Sequence, residues 1–272
     1  MPNATNCYLG QEEIERLIRQ DRLYYEEQDG GLLIYDDEAS YFLLYYYWCP
    51  DFAPKIPRTE KQIVLRTIFP GKKKPRQEKM DRLFEEVGFH LADRLRQVVK
   101  TGDIGPALQV SKDLFEKRKL RLVNAEMKYL PDIRRLLEKD DLLHVYEIPY
   151  LTDEEIIAEG SNGRFICVVN EEDRVVAFRG FAEPQSVHGY SRIDEEYKRF
   201  FGIALVIMDY VDRYALQHGL TYGGWISEAN GPSISYHMKA GRAWGSRYME
   251  YRILTPPDEE NPYETDKKEA LS

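Results

Sequence analysis

The segment Arg199-Phe200-Phe201-Gly202-Ile203-Ala204 places a cation and two small residues at the start of an amphipathic pattern. Gly202 and Ala204 keep bulky side chains away from the backbone, so the N–H groups of a helix beginning here can approach a ligand closely. These N–H groups lie at the positive end of the helix dipole, and Arg199 adds a full positive charge. The spacing therefore predicts a loop that can bind one anionic group.

A second segment with chemical potential follows one predicted strand later. Asn230 and Tyr236 flank Pro232, which suits the first turn of a short helix. Asn230 is either the N-cap of this helix or a hydrogen-bonding group for a ligand. Tyr236 is either one packing residue among 20 tyrosines or a proton donor. The residues alone leave both pairs of interpretations open.

The bulk composition is that of an ordinary folded protein with 272 residues, of which 43% are hydrophobic and 31% charged. The net charge of −9 argues against a nucleic-acid scaffold. Cys7, Cys49 and Cys167 form no C-x-x-C pair, so neither a disulfide framework nor a zinc site is predicted. The sequence contains no signal-peptide pattern and no apolar run of membrane-spanning length. We therefore expect a cytoplasmic protein.

The first half of the chain consists mostly of strand-like segments separated by turn residues. We expect a helix over 11–19, strands over 23–25, 32–35, 41–48 and 63–68, a solvated basic loop over 70–76 and a helix over 78–86. The apolar and aromatic run at 41–48 indicates a strand covered on both faces rather than an aromatic ligand cage. The segment 101–106 is the best candidate for a domain boundary.

The second half has clearer start and stop signals. We expect a strand ending near 126, a helix from Pro131, a helix with a capping box from Thr152, a hairpin of strands over 164–170 and 174–182, and a strand over 187–194. One face of the next helix carries Ala204, Ile207, Met208, Val211 and Ala215, and Gly219 ends it. A strand over 221–226, a helix over 232–239 and a strand over 248–254 complete the half.

This order of elements, from about residue 120 to residue 254, resembles the GNAT acyltransferase fold. The loop is similar to that family's Arg/Gln-x-x-Gly-x-Gly/Ala pyrophosphate signature, here Arg199, Gly202 and Ala204, and segment 230–241 looks like its Asn…Tyr-x-x-x-x-Gly segment. The resemblance implies an α/β (α+β) fold whose mixed, mostly antiparallel sheet is flanked by helices. The first half looks like a decayed copy of the same fold. The implied organisation is a degenerate GNAT-like domain at 1–105, a connecting helix at 106–119, a GNAT domain at 120–255 and a polar tail at 256–272.

The resemblance also implies a reaction, the transfer of an acyl group, most simply acetyl, from acetyl-CoA to a primary amine by direct attack in a ternary complex. In such enzymes the pantetheine arm lies between two splayed parallel strands, here 187–194 and 221–226. Tyr236 matches the general-acid tyrosine that protonates the leaving thiolate. The cofactor-binding residues implied are Asp194, Arg199, Phe200, Phe201, Gly202, Ile203, Ala204 and Asn230.

The base that accepts the amine proton has three candidates. His188 lies where many members of the family carry a strand glutamate, and a neutral imidazole accepts a proton near neutral pH. Glu228, just after the next strand, is its main rival, and Glu183 is the third. Each of these residues is alternatively a structural or surface side chain.

Two other functions stay open at this stage. One is a GNAT-like module that binds acyl-CoA without catalysis, although retention of the loop and of Tyr236 speaks against it. The other is an aminoacyl-tRNA-dependent transferase, a class also built from tandem GNAT halves, which the net charge of −9 disfavours. We therefore expect a small-molecule or peptide amine as acceptor, with no metal and no nucleic-acid or membrane partner. The acceptor's identity, the acyl length and the oligomeric state are left open.

Overall fold

The computed structural model describes residues 4–7, 9–38, 41–138, 151–181, 189–200 and 202–256. Its strands are β1 (Ala4–Thr5), β2 (Leu23–Gln28), β3 (Gly31–Asp37), β4 (Tyr41–Trp48), β5 (Gln62–Pro70), β6 (His90–Lys100), β7 (Arg121–Asn124), β8 (Phe165–Val169), β9 (Val175–Phe181), β10 (Gly189–Ile193), β11 (Gly224–Ser227) and β12 (Arg242–Leu254). Its α-helices are α1 (Gln11–Arg19), α2 (Pro75–Val87), α3 (Ala107–Lys117), α4 (Leu130–Leu137), α5 (Asp153–Ser161), α6 (Gly202–His218) and α7 (Gly231–Lys239).

Local sequence signals set the ends of several helices. The side chain of Thr152 accepts a hydrogen bond from the Glu155 N–H at 3.2 Å, and the Thr152 N–H donates to the Glu155 carboxylate at 2.8 Å. The capping box predicted for α5 is therefore confirmed. Pro75 lies in the first turn of α2, and Gly88 ends that helix in the left-handed conformation with φ 110°.

The chain forms two compact units. The first contains the segment up to Arg94 and the segment from Arg247 onward, and the second is Leu95–Ser246. The chain passes between the units within two long strands, β6 and β12, so the units divide it differently from the predicted boundaries at 105 and 255. Residues 247–254 belong to the first unit because they pair with β5 there, with Leu254 opposite Ile63. That the first unit is a degenerate copy of the second stays a prediction.

The sheet of the first unit is antiparallel except for one pair. Strands β2, β3 and β4 pair antiparallel, and β4 pairs parallel with β5. The expectation that β4 is covered on both faces is confirmed, because both its odd-numbered and its even-numbered positions include buried side chains. Leu44, Tyr46 and Trp48 share a core cluster with Met80 and Phe84 of α2, and Leu43 and Tyr45 are buried as well.

The basic loop before α2 takes part in a buried charge cluster. Lys73 is only 11% exposed and donates hydrogen bonds to Asp81 of α2 and Glu250 of β12. Arg252 pairs with Glu85 at 2.7 Å and also approaches Asp81 at 3.5 Å. The interpretation of this loop as simply solvated is therefore wrong for Lys73, which neutralises carboxylates inside the first unit.

The second unit sandwiches a four-stranded antiparallel sheet, in the order β10-β9-β8-β7, between helices. Alternate residues of the central strands enter different cores because successive side chains of a strand point to opposite faces. One core combines Ile166, Val168 and Val176 with Ile203, Ile207 and Val211 of α6 and Phe115 of α3. The other combines Phe165, Cys167 and Phe178 with Ile133 of α4 and Ile156 of α5.

The two strands expected to flank a pantetheine arm, β10 and β11, lie in different sheets. β10 occupies one edge of the four-stranded sheet and pairs antiparallel with β9, whereas β11 pairs antiparallel with β6, with Gly224 opposite Val98. The strand β6 was not predicted. Among the described residues, β11 pairs with this strand.

Candidate functional site

A small cavity lies within the second unit, where β9 and β10 meet α6 and α7. It encloses about 40 Å³, which is room for a water molecule or a group of a few heavy atoms. Apolar side chains make up much of its wall, and four polar side chains are added to them. The lining residues are Arg179, Ser191, Ile193, Ala204, Ile207, Met208, Val211, Tyr236 and His237.

The structure brings Tyr236 and Ala204 into direct contact at this cavity. The Tyr236 hydroxyl donates a hydrogen bond to the backbone carbonyl of Ala204 in the first turn of α6. Burial, reinforced by the nearby Tyr222 phenol, raises the pKa of Tyr236, so the phenol keeps its proton at neutral pH. A protonated phenol therefore lies beside the helix start that the sequence singled out.

The helix start itself is more closely packed than its sequence suggests. Gly202 is buried, and a side chain added to it would lie 2.7 and 2.8 Å from ring carbons of Phe200 and 3.4 Å from Cβ of Ser111. The Ile203 N–H donates to the Phe200 carbonyl at 3.2 Å, and Ile203 is fully buried. Arg118 lies over the Phe200 ring, 4.5 Å from its centroid. Internal packing thus requires a glycine at position 202, and the phosphate-cradle role of this loop stays a prediction.

Arg199 and Asp194 lie on either side of the short 3-10 turn that leads into α6. Arg199 is exposed to solvent, as a residue that meets a soluble anion would be. Asp194 is buried and accepts a hydrogen bond from Arg135 of α4 at 2.6 Å, while its own N–H donates to the Val176 carbonyl at 2.8 Å. Asp194 therefore anchors the end of β10, a structural role that the sequence did not predict. A role for it in cofactor binding stays a prediction.

Asn230 is the N-cap of α7. Its side-chain oxygen accepts a hydrogen bond from the Ser233 N–H at 3.0 Å. Of the two interpretations left open by the sequence, the capping role is confirmed. Its contact with a bound ligand stays a prediction.

Of the three candidate bases, the structure describes only Glu228. Glu228 is exposed in the turn between β11 and α7. His188 and Glu183 lie outside the described residues, and so does Phe201 of the loop. The assignment of the base accordingly stays a prediction.

Three polar residues of the cavity were missed from the sequence, Arg179, Ser191 and His237. Arg179 is the one charged residue in the otherwise apolar strand Val175–Phe181, and that isolation was a usable signal. His237 follows Tyr236 directly, and the two rings meet edge-on with centroids 4.8 Å apart. Burial, together with the charges of Arg179 and Arg242, lowers the pKa of His237 to about 3, so the imidazole is neutral.

Within the ranges given above, no cluster of three or more His, Cys, Asp or Glu side chains is arranged to hold a metal ion. None of the helices in the described part of the chain combines the length and apolar character needed to cross a bilayer.

Comparison with known proteins identifies the fold. No family model and no curated protein matches the sequence. Among solved structures, a GCN5-related glucosamine N-acetyltransferase region of a fungal multi-domain β-N-acetylglucosaminidase is similar, with a TM-score of 0.55, 10% identity and coverage of 82% of this chain and 31% of that one. The chain thus spans about a third of that protein's length.

Two further structures are similar over most of both chains. A GCN5-related N-acetyltransferase-like protein from Streptococcus suis has a TM-score of 0.53 and 14% identity, covering 89% of this chain and 92% of that one. A Drosophila protein has a TM-score of 0.53 and 9% identity, covering 82% and 74%. The chain therefore has the fold of the GNAT N-acetyltransferases, a mixed α/β fold with mostly antiparallel strand pairing flanked by helices.

Proposed function

We propose that this protein is an acyl-CoA-dependent N-acyltransferase, most simply an N-acetyltransferase that uses acetyl-CoA and a primary amine. One observation carries the proposal. In a chain with the GNAT fold, the phenol of Tyr236 contacts the backbone of Ala204 at the first turn of α6, next to a cavity bounded by β10. The motif residues come together although 32 positions separate them in sequence.

Donor binding is supported by three features around this contact. The start of the 17-residue helix α6 has a positive dipole end, and Arg199 nearby is exposed. The strand β10 lies at a sheet edge, and the backbone of an edge strand can hydrogen-bond an extended ligand such as a pantetheine arm. Phe200 covers Gly202, so a diphosphate that binds close to the Gly202 backbone requires that ring to move.

The reaction needs a neutral amine, a stabilised oxyanion and a proton for the leaving group. The amine nitrogen attacks the thioester carbonyl carbon, a C–N bond forms, and the C–S bond breaks. Tyr236 gives its proton to the departing thiolate and recovers one from solvent. The amine's proton passes to water or to a base among His188, Glu228 and Glu183. Because the pKa of Tyr236 is raised, this residue is protonated whenever a substrate arrives.

The first test removes the phenol oxygen. Tyr236→Phe should lower kcat by about 100-fold and change the KM for acetyl-CoA by less than about 3-fold, because a general acid acts on the leaving group rather than on donor binding. Thiol release is measured over a panel of amines. Unchanged turnover in Tyr236→Phe with a saturating amine would remove this residue from the mechanism.

A matched control is available on the neighbouring helix. Tyr210 also donates its hydroxyl to a backbone carbonyl, that of Gly163 at 2.9 Å, but it does not line the cavity. Tyr210→Phe loses the same type of hydrogen bond, and we expect it to keep wild-type kcat. Equal losses in both variants would indicate a stability effect instead of proton donation.

The second candidate function is acyl-CoA binding without catalysis. The packing of Phe200 over Gly202 does not distinguish it from the transferase, because both functions need the donor loop. Calorimetry with CoA and the thiol-release assay separate the two functions. Binding with turnover supports the transferase, and binding without turnover across the amine panel supports the module. Absence of CoA binding contradicts both.

A further inference from the structure

The cavity at Tyr236 has a polarity that acetyl transfer alone does not require. Its lining includes one guanidinium, Arg179, and no Asp or Glu side chain among the described residues. The imidazole of His237 also lines it, and its Nδ1 is buried without a hydrogen-bond partner in the described part of the chain. The hydroxyl of Ser191 can also donate a hydrogen bond into the cavity, whereas the Tyr236 hydroxyl already donates to the Ala204 carbonyl.

The guanidinium of Arg179 is buried beside three phenols and a second guanidinium. Burial is the largest influence on its pKa and lowers it, the phenols of Tyr222, Tyr236 and Tyr190 raise it, and the guanidinium of Arg242 lowers it. Arginine keeps its charge even when buried, because its intrinsic pKa is so high. The cavity wall therefore has a permanent positive charge next to apolar side chains.

The carboxylate of Asp212 is shared between two other cations, Arg242 and Lys100. Asp212 accepts a hydrogen bond from Arg242, and it pairs with Lys100 at 3.2 Å. Arg242 is itself fully buried at its side chain and lies over the Tyr222 ring at 4.3 Å. This arrangement balances Arg242 with a carboxylate of the protein.

From this geometry we propose that the cavity binds a carboxylate of the substrate through Arg179, assisted by His237 and Ser191. The proposal deepens the transferase function proposed above and rests on it. A guanidinium has five N–H donors, so Arg179 can hold its contacts within the chain and still bind a ligand oxygen. A planar carboxylate matches the fork of a guanidinium and the size of a cavity of about 40 Å³.

The carboxylate has two possible sources, and the experiment distinguishes them. In the donor arm, succinyl-CoA is compared with butyryl-CoA, which has the same number of acyl carbons but no charge. In the acceptor arm, free amino acids are compared with the corresponding amino-acid amides, with acetyl-CoA as donor. We expect the acid to be preferred in one arm by about 10- to 100-fold in kcat/KM, as is typical of a charge-assisted hydrogen bond.

Variants assign the preference to Arg179. In Arg179→Gln the ratio of acid to neutral substrate should fall to nearly one, and Arg179→Lys should retain part of it. The quantity compared is the ratio of kcat/KM for the acid to kcat/KM for the neutral substrate. A general loss of activity lowers both values equally and leaves this ratio unchanged. Arg192→Gln is the matched control, because Arg192 lies on β10 beside Ser191, donates to the Ser191 carbonyl at 2.9 Å and does not line the cavity. It should keep the wild-type ratio.

Each outcome decides the proposal. Equal use of acid and neutral substrates by a wild-type protein that binds CoA and turns over amines overturns the carboxylate site but leaves the transferase function. A preference that persists in Arg179→Gln overturns the assignment to Arg179. Lack of CoA binding in calorimetry overturns both proposals. If Arg179→Gln does not fold, the wild-type ratios still decide whether a carboxylate is recognised. If CoA binds without turnover, the ratios of Kd for the same pairs replace the kinetic ratios.

Discussion

Replacement of Gly202 by alanine tests how the start of α6 is built. The added methyl carbon would lie 2.7 and 2.8 Å from carbons of the Phe200 ring, about 1 Å closer than an ordinary carbon–carbon contact. The Phe200 ring cannot retreat freely, because it is buried in a core cluster with Phe115 and Ile203. Overpacking of this kind costs about 1–3 kcal/mol, while Gly→Ala gains about 0.4–1 kcal/mol from the unfolded chain. We therefore expect Gly202→Ala to be destabilised by about 1–2 kcal/mol.

A double-mutant cycle with Phe200→Ala shows whether that ring is the cause. Without the ring, the nearest atom to the new methyl is Cβ of Ser111 at 3.4 Å, an ordinary van der Waals distance. Gly202→Ala should then be neutral or stabilising by about 0.5 kcal/mol, which gives a coupling energy of about 2 kcal/mol. The free energies of unfolding are measured by urea denaturation. Gly231→Ala is the control, since Gly231 also begins a helix but has no heavy atom within 4 Å of an added side chain.

Variants at the same two positions test the predicted phosphate cradle separately from the effect of the Phe200 ring. In the Phe200→Ala background, a fall in CoA affinity caused by Gly202→Val reflects the backbone at the helix start and not the displaced ring. The packing argument fails if the effects of Gly202→Ala and Phe200→Ala on stability are additive. The cradle prediction fails if Gly202→Val leaves CoA affinity unchanged in that background.

Two further predictions concern buried charge. Because burial lowers the pKa of His237 to about 3 from 6.5, the unfolded state binds more protons between these values, and stability falls as the pH is lowered through this window. Wild type should lose about 2 kcal/mol more than His237→Asn between about pH 7 and about pH 5 in urea denaturation, and identical pH profiles would contradict this. Lys73→Met removes one of the cations that the buried Asp81 and Glu250 share, with Arg252 remaining beside them, and should cost about 3 kcal/mol. Lys198→Met, which removes an exposed pair with Glu195, should cost less than about 1 kcal/mol. Equal losses of unfolding free energy in the two lysine variants would show that burial does not strengthen the contribution of the Lys73 ion pairs to stability.

Much of the second unit was predictable because its signals are local. The apolar face of residues 204–215 predicted α6, and the capping box at Thr152 predicted α5. The two strands of the hairpin were predicted within two residues of β8 and β9. In each case neighbouring residues alone decide the conformation, through periodicity or through hydrogen bonds to the nearest backbone groups.

The strand β6 shows where local signals mislead. Leu91, Leu95 and Val98 recur at spacings of four and three, which is a helical period, and charged residues separate them. The segment is nevertheless a strand, because its backbone pairs with β11, where Leu95 lies opposite Ser227. Partners more than a hundred residues away override a weak local pattern, and that pairing cannot be read from either segment alone.

The sequence by itself determined most helices of the second unit and its β8–β9 hairpin, because their signals are local. The resemblance of its motifs to the GNAT signature marked Arg199, Gly202, Ala204 and Tyr236 as a group. Only the tertiary structure decided that Tyr236 meets Ala204, that Gly202 accommodates the ring of Phe200, and that Arg179 lines the same cavity. These relations depend on how β9, β10, α6 and α7 pack. Packing is set by shape and burial summed over many distant residues, and no short stretch of sequence contains that information.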